Sequence, residues 1–204
     1  GKPFLAYIAT NAPHGPMHSP EEFSEPYQDQ NVNLANFYGM IANIDQNVGE
    51  LRELLESEGL AENTIFIFTT DNGSSSGDRV FNAGMRGRKG SEYDGGHRVP
   101  LFVRWPQGNL QGGRDVEPIT AYVDVLPTLI DLCDIDAPKG VEFDGTSIAP
   151  LLNGNVPAEW PDRILVTDSQ RVKDPIKWRK SAVMTSKWRL NNGKELYDIK
   201  ADPG

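Results

Sequence analysis

Two short, almost wholly apolar runs with a long amphipathic repeat between them set the fold class of this 204-residue chain. Phe4 to Ala9 stops at Thr10-Asn11-Ala12-Pro13, and Thr64 to Thr69 stops at Asp71-Asn72-Gly73. Short apolar runs closed by turn residues have the pattern of strands buried on both faces. From about Asn31 to Glu58, Phe37, Ile41, Ile44, Val48, Leu51 and Leu55 recur at steps of three and four, which predicts one apolar stripe on a helix, with Gly59 as its C-terminal cap. Strand, helix, strand in that order predicts a parallel crossover, with both strands in one sheet and their C-terminal ends on the same side. Open α/β sheets bind ligands in the loops that leave those ends.

The glycine- and serine-rich stretch from Gly73 to Gly96 is too long for a plain connector, which marks it as a functional loop. Val99 to Trp105 returns to strand character. Asp124 is expected to cap a helix from Val125 to about Leu132, where Pro127 falls in the first turn and removes no helical hydrogen bond. Gly145-Thr146-Ser147 introduces another short helix through Leu152. Beyond Pro161 the chain changes to short strands with a tight turn at Asn191-Asn192-Gly193, the pattern of an antiparallel subdomain. The expected organisation is an α/β part over residues 1–160 and an antiparallel part over residues 161–204.

Net charge is −9, which disfavours nucleic acid as the default partner. The charge is uneven: between Arg163 and Lys194 nine Lys or Arg face two Asp, so the rest of the chain carries −16. Apolar and aromatic residues alternate with these charges, which favours a sheet with basic outer faces over an RNA-binding surface. No apolar run approaches the roughly 20 residues of a membrane helix. The lone Cys133 excludes an internal disulfide and any Cys-rich zinc site, and its helical context predicts a buried apolar role.

Three segments lie where the fold argument expects a site. They are Ala12-Pro13-His14-Gly15-Pro16, Thr70-Asp71-Asn72-Gly73, and the basic run from Arg86 to Pro100. Asp71 and Asn72 offer a carboxylate and an amide carbonyl, hard oxygens suited to Ca²⁺ or Mg²⁺; the alternative is a plain Asn-Gly turn. Lys89 is a point charge suited to a tetrahedral anion, against the alternative of a solvated lysine. His14 is a candidate proton donor, against that of an exposed or structural loop histidine.

These segments resemble the calcium-dependent, formylglycine-using sulfatases of the alkaline phosphatase superfamily, over nearly the whole chain. His14-Gly15-Pro16 resembles the family's His-x-Pro loop, and Ile65 to Gly73 its strand ending in Asp-Asn-Gly. Arg86 to Pro100 resembles Arg-Gly-x-Lys-Gly followed by Tyr-Glu-Gly-Gly-x-Arg-Val-Pro, with Asp94 in place of Glu and His97 at the variable position. Asp124 to Leu132, Gly145 to Leu152, and Glu195-Leu196-Tyr197-Asp198 with Asp202-Pro203 resemble later landmarks. The resemblance implies an alkaline phosphatase-like sheet with flanking helices, represented by the C-terminal half of its main domain, plus a small antiparallel subdomain. It implies Ca²⁺ held partly by Asp71 and Asn72, Lys89 on a sulfate oxygen, and His14 near the leaving ester oxygen, with Asp71 able to share the proton donation. His97, Arg88 and parts of Met17 to Tyr27 are candidate substrate contacts.

One departure stands out. The family nucleophile is a cysteine in Cys-x-Pro-Ser-Arg or a similar motif, oxidised to formylglycine, and Cys133-Asp134-Ile135-Asp136-Ala137 does not match it. The paired aspartates that complete the family's calcium site, and a further Lys and His, also have no counterpart. The expectation is therefore a C-terminal portion of a sulfatase, inactive alone, whose nucleophile lies outside these residues. Two alternatives stay open: a phosphatase or phosphodiesterase of the superfamily, and a non-catalytic relative that binds sulfate or carbohydrate. Relatives with two zinc ions carry Asp-His where this chain has Asp71-Asn72, which favours a single hard metal. The implied partner is a sulfated small molecule or sulfated carbohydrate, and the implied compartment periplasmic, secreted or lysosomal. Oligomeric state is left open.

Overall fold

The computed structural model describes residues 2–110, 112–155, 157 and 160–202. The chain divides into two compact units, Gly1–Ala61 and Glu62–Gly204. In the first, a short helix α1 (Glu21–Ser24) is followed by the long helix α2 (Val32–Ser57) that the apolar periodicity predicts. Asn31 caps α2, its side-chain oxygen accepting from the Leu34 amide at 3.0 Å. Gly59 adopts φ +67°, and the Leu60 amide reaches back to the Leu55 carbonyl at 2.8 Å, closing the helix with a left-handed residue after its last turn. The first half of α2 buries Ala35, Phe37, Gly39 and Met40, and α1 packs against this helix. Gly39 is required there, because a Cβ would stand 3.0 Å from the Ser24 amide. Of the predicted stripe, Ile44, Val48, Leu51 and Leu55 are half-buried and Ile41 is exposed.

Phe4 to Ala9 is not a strand. A strand exists through its hydrogen-bonded ladder, and this run makes none among the described residues. Leu5 and Tyr7 are 87% and 92% exposed. The expected parallel pairing is therefore not formed.

In the second unit, β1 (Phe66–Thr69) ends at Thr70-Asp71 as predicted, and it pairs antiparallel with β2 (Leu101–Arg104), Thr69 facing Leu101 and Phe66 facing Arg104. The loop between them contains one short helix, α3 (Asp94–His97). Thr69 donates its hydroxyl to the Pro100 carbonyl at 2.8 Å, closing the loop at its base. Next come α4 (Val125–Leu132) and α5 (Ala149–Leu152). Asp124 does not cap α4. Its buried carboxylate accepts from the Ala121 amide at 2.7 Å, the Thr146 amide at 3.0 Å and the Arg163 guanidinium at 2.8 Å. Three donors from separate segments satisfy it better than one helical amide, so Asp124 ties the α4 entrance to the approach of α5. Cys133 is exposed, contrary to the buried role expected from its context, because it sits beyond the last turn of α4.

Strands β3 (Leu165–Asp168), β4 (Ser181–Met184), β5 (Trp188–Asn191) and β6 (Glu195–Asp198) form one antiparallel sheet in sequence order. The predicted turn joins β5 to β6, with Asn192 at φ +53° and Gly193 at φ +65°, the left-handed pair that Asn-Gly tolerates. The landmark Pro203 lies outside the described residues. No helix among the described residues is long and apolar enough to cross a membrane.

Candidate active site

Backbone-to-backbone contact between glycines builds the site. The Gly73 amide donates to the Gly96 carbonyl at 3.0 Å, the Gly95 amide to the Arg86 carbonyl at 2.8 Å, and the Lys89 amide to the Ser74 carbonyl at 2.9 Å. A Cβ on Gly73 would stand 1.8 Å from the Gly95 oxygen, so only glycine allows the Asp71-Asn72 turn to approach the Tyr93 to Gly96 segment this closely. The turn that leaves β1 and the basic loop are thereby locked into one surface.

On that surface the Asn72 side-chain amide donates to Asp71 Oδ2. Neither Asp71 Oδ1 nor Asn72 Oδ1 accepts a hydrogen bond among the described residues, so both oxygens remain available as donors to a ligand. Their chemistry fits a hard divalent metal. It supplies a partial set, since calcium takes six to eight oxygens and no cluster of three or more His, Cys, Asp or Glu among the described residues completes it. Lys89 is half-buried, and among the described residues no carboxylate lies within 4 Å of its ammonium group. Its charge is available for an anion. Arg88 is exposed, and its amide donates to Ser91 Oγ at 3.1 Å.

The antiparallel sheet holds this loop from below. Asp94 and Arg189 form an ion pair in which each residue is 3% exposed. Arg98 adds a second cation 3.6 Å from Asp94. Glu92 accepts from the Asn192 side chain, and Ser169 donates to the Gly90 carbonyl at 3.2 Å. The Arg86 guanidinium lies 4.0 Å over the Tyr93 ring and donates to the Tyr197 hydroxyl at 3.0 Å. Tyr93 and Tyr197 both donate to Glu195, at 2.8 and 2.9 Å. The Glu195 hydrogen bond pushes the Tyr93 phenol up to about 12, and the same bond holds the Glu195 carboxyl below its ordinary range.

His97 sits at the C-terminal end of α3 with both ring nitrogens buried and Nε2 3.9 Å from Asp94. Burial lowers its pKa and the Arg189 charge lowers it further, against the opposing pull of Asp94. Sequence reasoning did not single out Arg189. The available signal was its place in β5 between Trp188 and Leu190, where it takes a core position in a polar stretch.

His14 belongs to the first unit. It is exposed, its amide donates to the Asn11 carbonyl at 2.9 Å, and its Nδ1 lies 2.9 Å from the Gly15 carbonyl. A carbonyl can only accept, so Nδ1 carries the proton of that bond.

The family model described as Sulfatase matches residues 1–135, and the model described as N-sulphoglucosamine sulphohydrolase, C-terminal, matches residues 88–204. The uncharacterized sulfatase YdeN of Escherichia coli (strain K12) is 35% identical over 154 residues, covering 74% of this chain and 27% of that protein. An arylsulfatase of Clostridium perfringens (strain 13 / Type A) is 27% identical over 242 residues, covering 99% of this chain and 48% of that protein. The solved structure of Ps i-CgsB in complex with k-i-k-neocarrahexaose is 25% identical with a TM-score of 0.79, covering 93% of this chain and 42% of that one. The fold is thus the α/β, alkaline phosphatase-like fold of these neighbours. The chain spans less than half the length of each of these three relatives.

Proposed function

The chain belongs to the sulfatase family, and from that premise we propose that the whole protein hydrolyses sulfate monoesters, with calcium held in part by Asp71 and Asn72. The observation that carries the proposal is the pairing of two hard-oxygen donors with Lys89, which has no ion-pair partner among the described residues, on one glycine-locked surface. A bound divalent cation would supply electrophilic stabilisation of sulfuryl oxygens. Lys89 Nζ holds a further sulfuryl oxygen and offsets the charge that grows on the group as the ester bond breaks. The family resemblance gives His14, in the first unit, the role of proton donor to an ester oxygen, which requires its imidazolium form. The lone cysteine stands in Cys133-Asp134-Ile135-Asp136, which does not match the motif of the formylglycine nucleophile that the proposal implies.

The test is turnover of p-nitrophenyl sulfate by the full-length protein with added calcium. Hydrolysis should be lost on chelation and restored by Ca²⁺. In Asp71→Ala, both bound calcium and turnover should fall. Hydrolysis of p-nitrophenyl phosphate at a hundred times the sulfate rate, or zinc bound at these positions, would overturn the assignment.

A further inference from the structure

The surplus of positive charge in the C-terminal part does not spread over the whole sheet. Arg189 turns inward to Asp94, and Lys187 pairs with Asp198 at 3.9 Å. What remains concentrates in the loop 169–180 between β3 and β4, Ser169-Gln170-Arg171-Val172-Lys173-Asp174-Pro175-Ile176-Lys177-Trp178-Arg179-Lys180. It carries five Lys or Arg against one Asp, and residues 171–180 are all exposed. Among the described residues none of the five cations has a carboxylate within 4 Å. In a chain that is −16 outside the Arg163 to Lys194 stretch, such a cluster stands as the counterpart of a polyanion.

The loop is held in shape. The Gln170 side-chain amide donates to the Ile176 carbonyl at 3.0 Å and accepts from the Ile176 amide at 3.0 Å, the exchange two strand residues make, while also donating to Asp168 at 2.8 Å. The Ser169 amide donates to the Lys180 carbonyl at 3.0 Å, closing the neck. Trp178, at φ +65°, is seated against Gly193, where a Cβ would meet its ring at 2.7 Å, yet it remains 43% exposed with Lys177 5.3 Å from its ring centre. An exposed indole beside an ammonium group is the surface on which a saccharide ring stacks while its anionic substituents are held.

The loop adjoins the site. Ser169 Oγ donates to the Gly90 carbonyl, the residue after Lys89, whose own amide donates to Ser74 in the turn that follows Asp71 and Asn72. The Lys89 amide bond to Ser74 and the Ser169 hydroxyl bond to Gly90 thus link the proposed cation-binding turn, the Lys89 segment and the neck of the basic loop.

We infer that the loop 169–180 is a binding subsite for a multiply sulfated oligosaccharide, one sulfate of which is presented to Lys89 while neighbouring sulfates engage Lys173, Lys177 and Lys180 and a sugar ring rests on Trp178. The inference builds on the sulfatase reading and narrows its substrate class from any sulfate ester to a polysulfated chain. The test uses the full-length protein and the variant Lys173→Ala/Lys177→Ala/Lys180→Ala, with fluorescence polarisation of a labelled carrageenan hexasaccharide at two salt concentrations. The native protein should bind the sulfated probe and not its desulfated counterpart, with affinity falling steeply as salt rises. The triple variant should bind about tenfold or more weakly with a shallower salt slope, since three charge contacts are removed. The matching triple Lys→Arg variant should keep its affinity, which separates charge from fold. Turnover of p-nitrophenyl sulfate, which carries no second sulfate for the loop lysines to engage, should stay within about twofold in every variant. Unchanged hexasaccharide affinity in the triple Ala variant, absence of binding at the lower salt, or tighter binding of a single-stranded RNA would each overturn the subsite. Hexasaccharide binding that follows this pattern without release of sulfate from either the hexasaccharide or p-nitrophenyl sulfate would uphold the subsite and refute the sulfatase reading on which it was built.

Discussion

Arg189→Met should destabilise the protein more than any change to an exposed charge. Arg189 and Asp94 are each 3% exposed, so removing the guanidinium strands a carboxylate in the interior. Breaking one side of a buried pair costs about 3 to 5 kcal/mol. Arg98, 3.6 Å away with its side chain 70% exposed, supplies a solvent-screened substitute, which places the expected loss near the lower end, about 3 kcal/mol. Adding Asp94→Asn removes the stranded charge, so the double variant should recover most of that loss. Asp94 opens α3, and the next two residues, Gly95 and Gly96, seat Gly73 beside the Asp71-Asn72 turn. The single variant should therefore also bind calcium less tightly. Urea unfolding of the full-length protein gives the readout, as a lower midpoint at constant m-value. A loss below about 1 kcal/mol in Arg189→Met, or a double variant less stable than the single one, would refute the argument that this pair carries the loop.

Three further outcomes follow from the same geometry. Lys89→Ala should lower turnover about 10²-fold or more while leaving the melting temperature unchanged, because among the described residues its ammonium group has no carboxylate partner to lose; early melting with full specific activity would make it a structural lysine. Gly73→Ala should cost about 1 to 3 kcal/mol and reduce calcium content, since its methyl would overlap the Gly95 oxygen and the turn must shift; native calcium content in that variant would contradict the close approach. His97 is held below its ordinary 6.5 by burial first and Arg189 second, so the unfolded chain takes up a proton that the folded protein does not. Its contribution is fully present above about 6.5 and is lost as pH falls through the lower folded value, and His97→Gln should flatten the part of the stability profile that declines below about pH 6.5; an unaltered slope would show that the imidazole is not excluded from water.

Elements that depend on their own residues were legible in the sequence. Helix α2 runs from Val32 to Ser57, one residue inside each predicted end, because periodicity, Asn31 and Gly59 all act within a few residues of the helix. The Asn192-Gly193 turn and the α4 span were legible for the same reason. The run Phe4 to Ala9 was not, since apolar content licenses a strand but only a neighbour makes one. Asp124 is intermediate: its position at a helix entrance was apparent, whereas its partners Thr146 and Arg163 are remote in sequence and invisible to local reasoning. The site divides along the same line. Asp71, Asn72 and Lys89 were found as residue types in glycine-rich context, while the Gly73 to Gly95 contact that joins them depends on three-dimensional closure.

The stretch with a surplus of seven positive charges shows how one composition serves two physical ends. A cation in β5 alternates with its neighbours across the sheet, so Arg189 enters the core, where only a carboxylate such as Asp94 makes its burial tolerable. The cations of the loop 169–180 have no strand to turn them inward, and their geometry comes from the Gln170 clasp, which involves no charge. Substituting the loop lysines should therefore leave the fold intact and change what it binds, whereas substituting Arg189 should disturb the loop that carries Lys89.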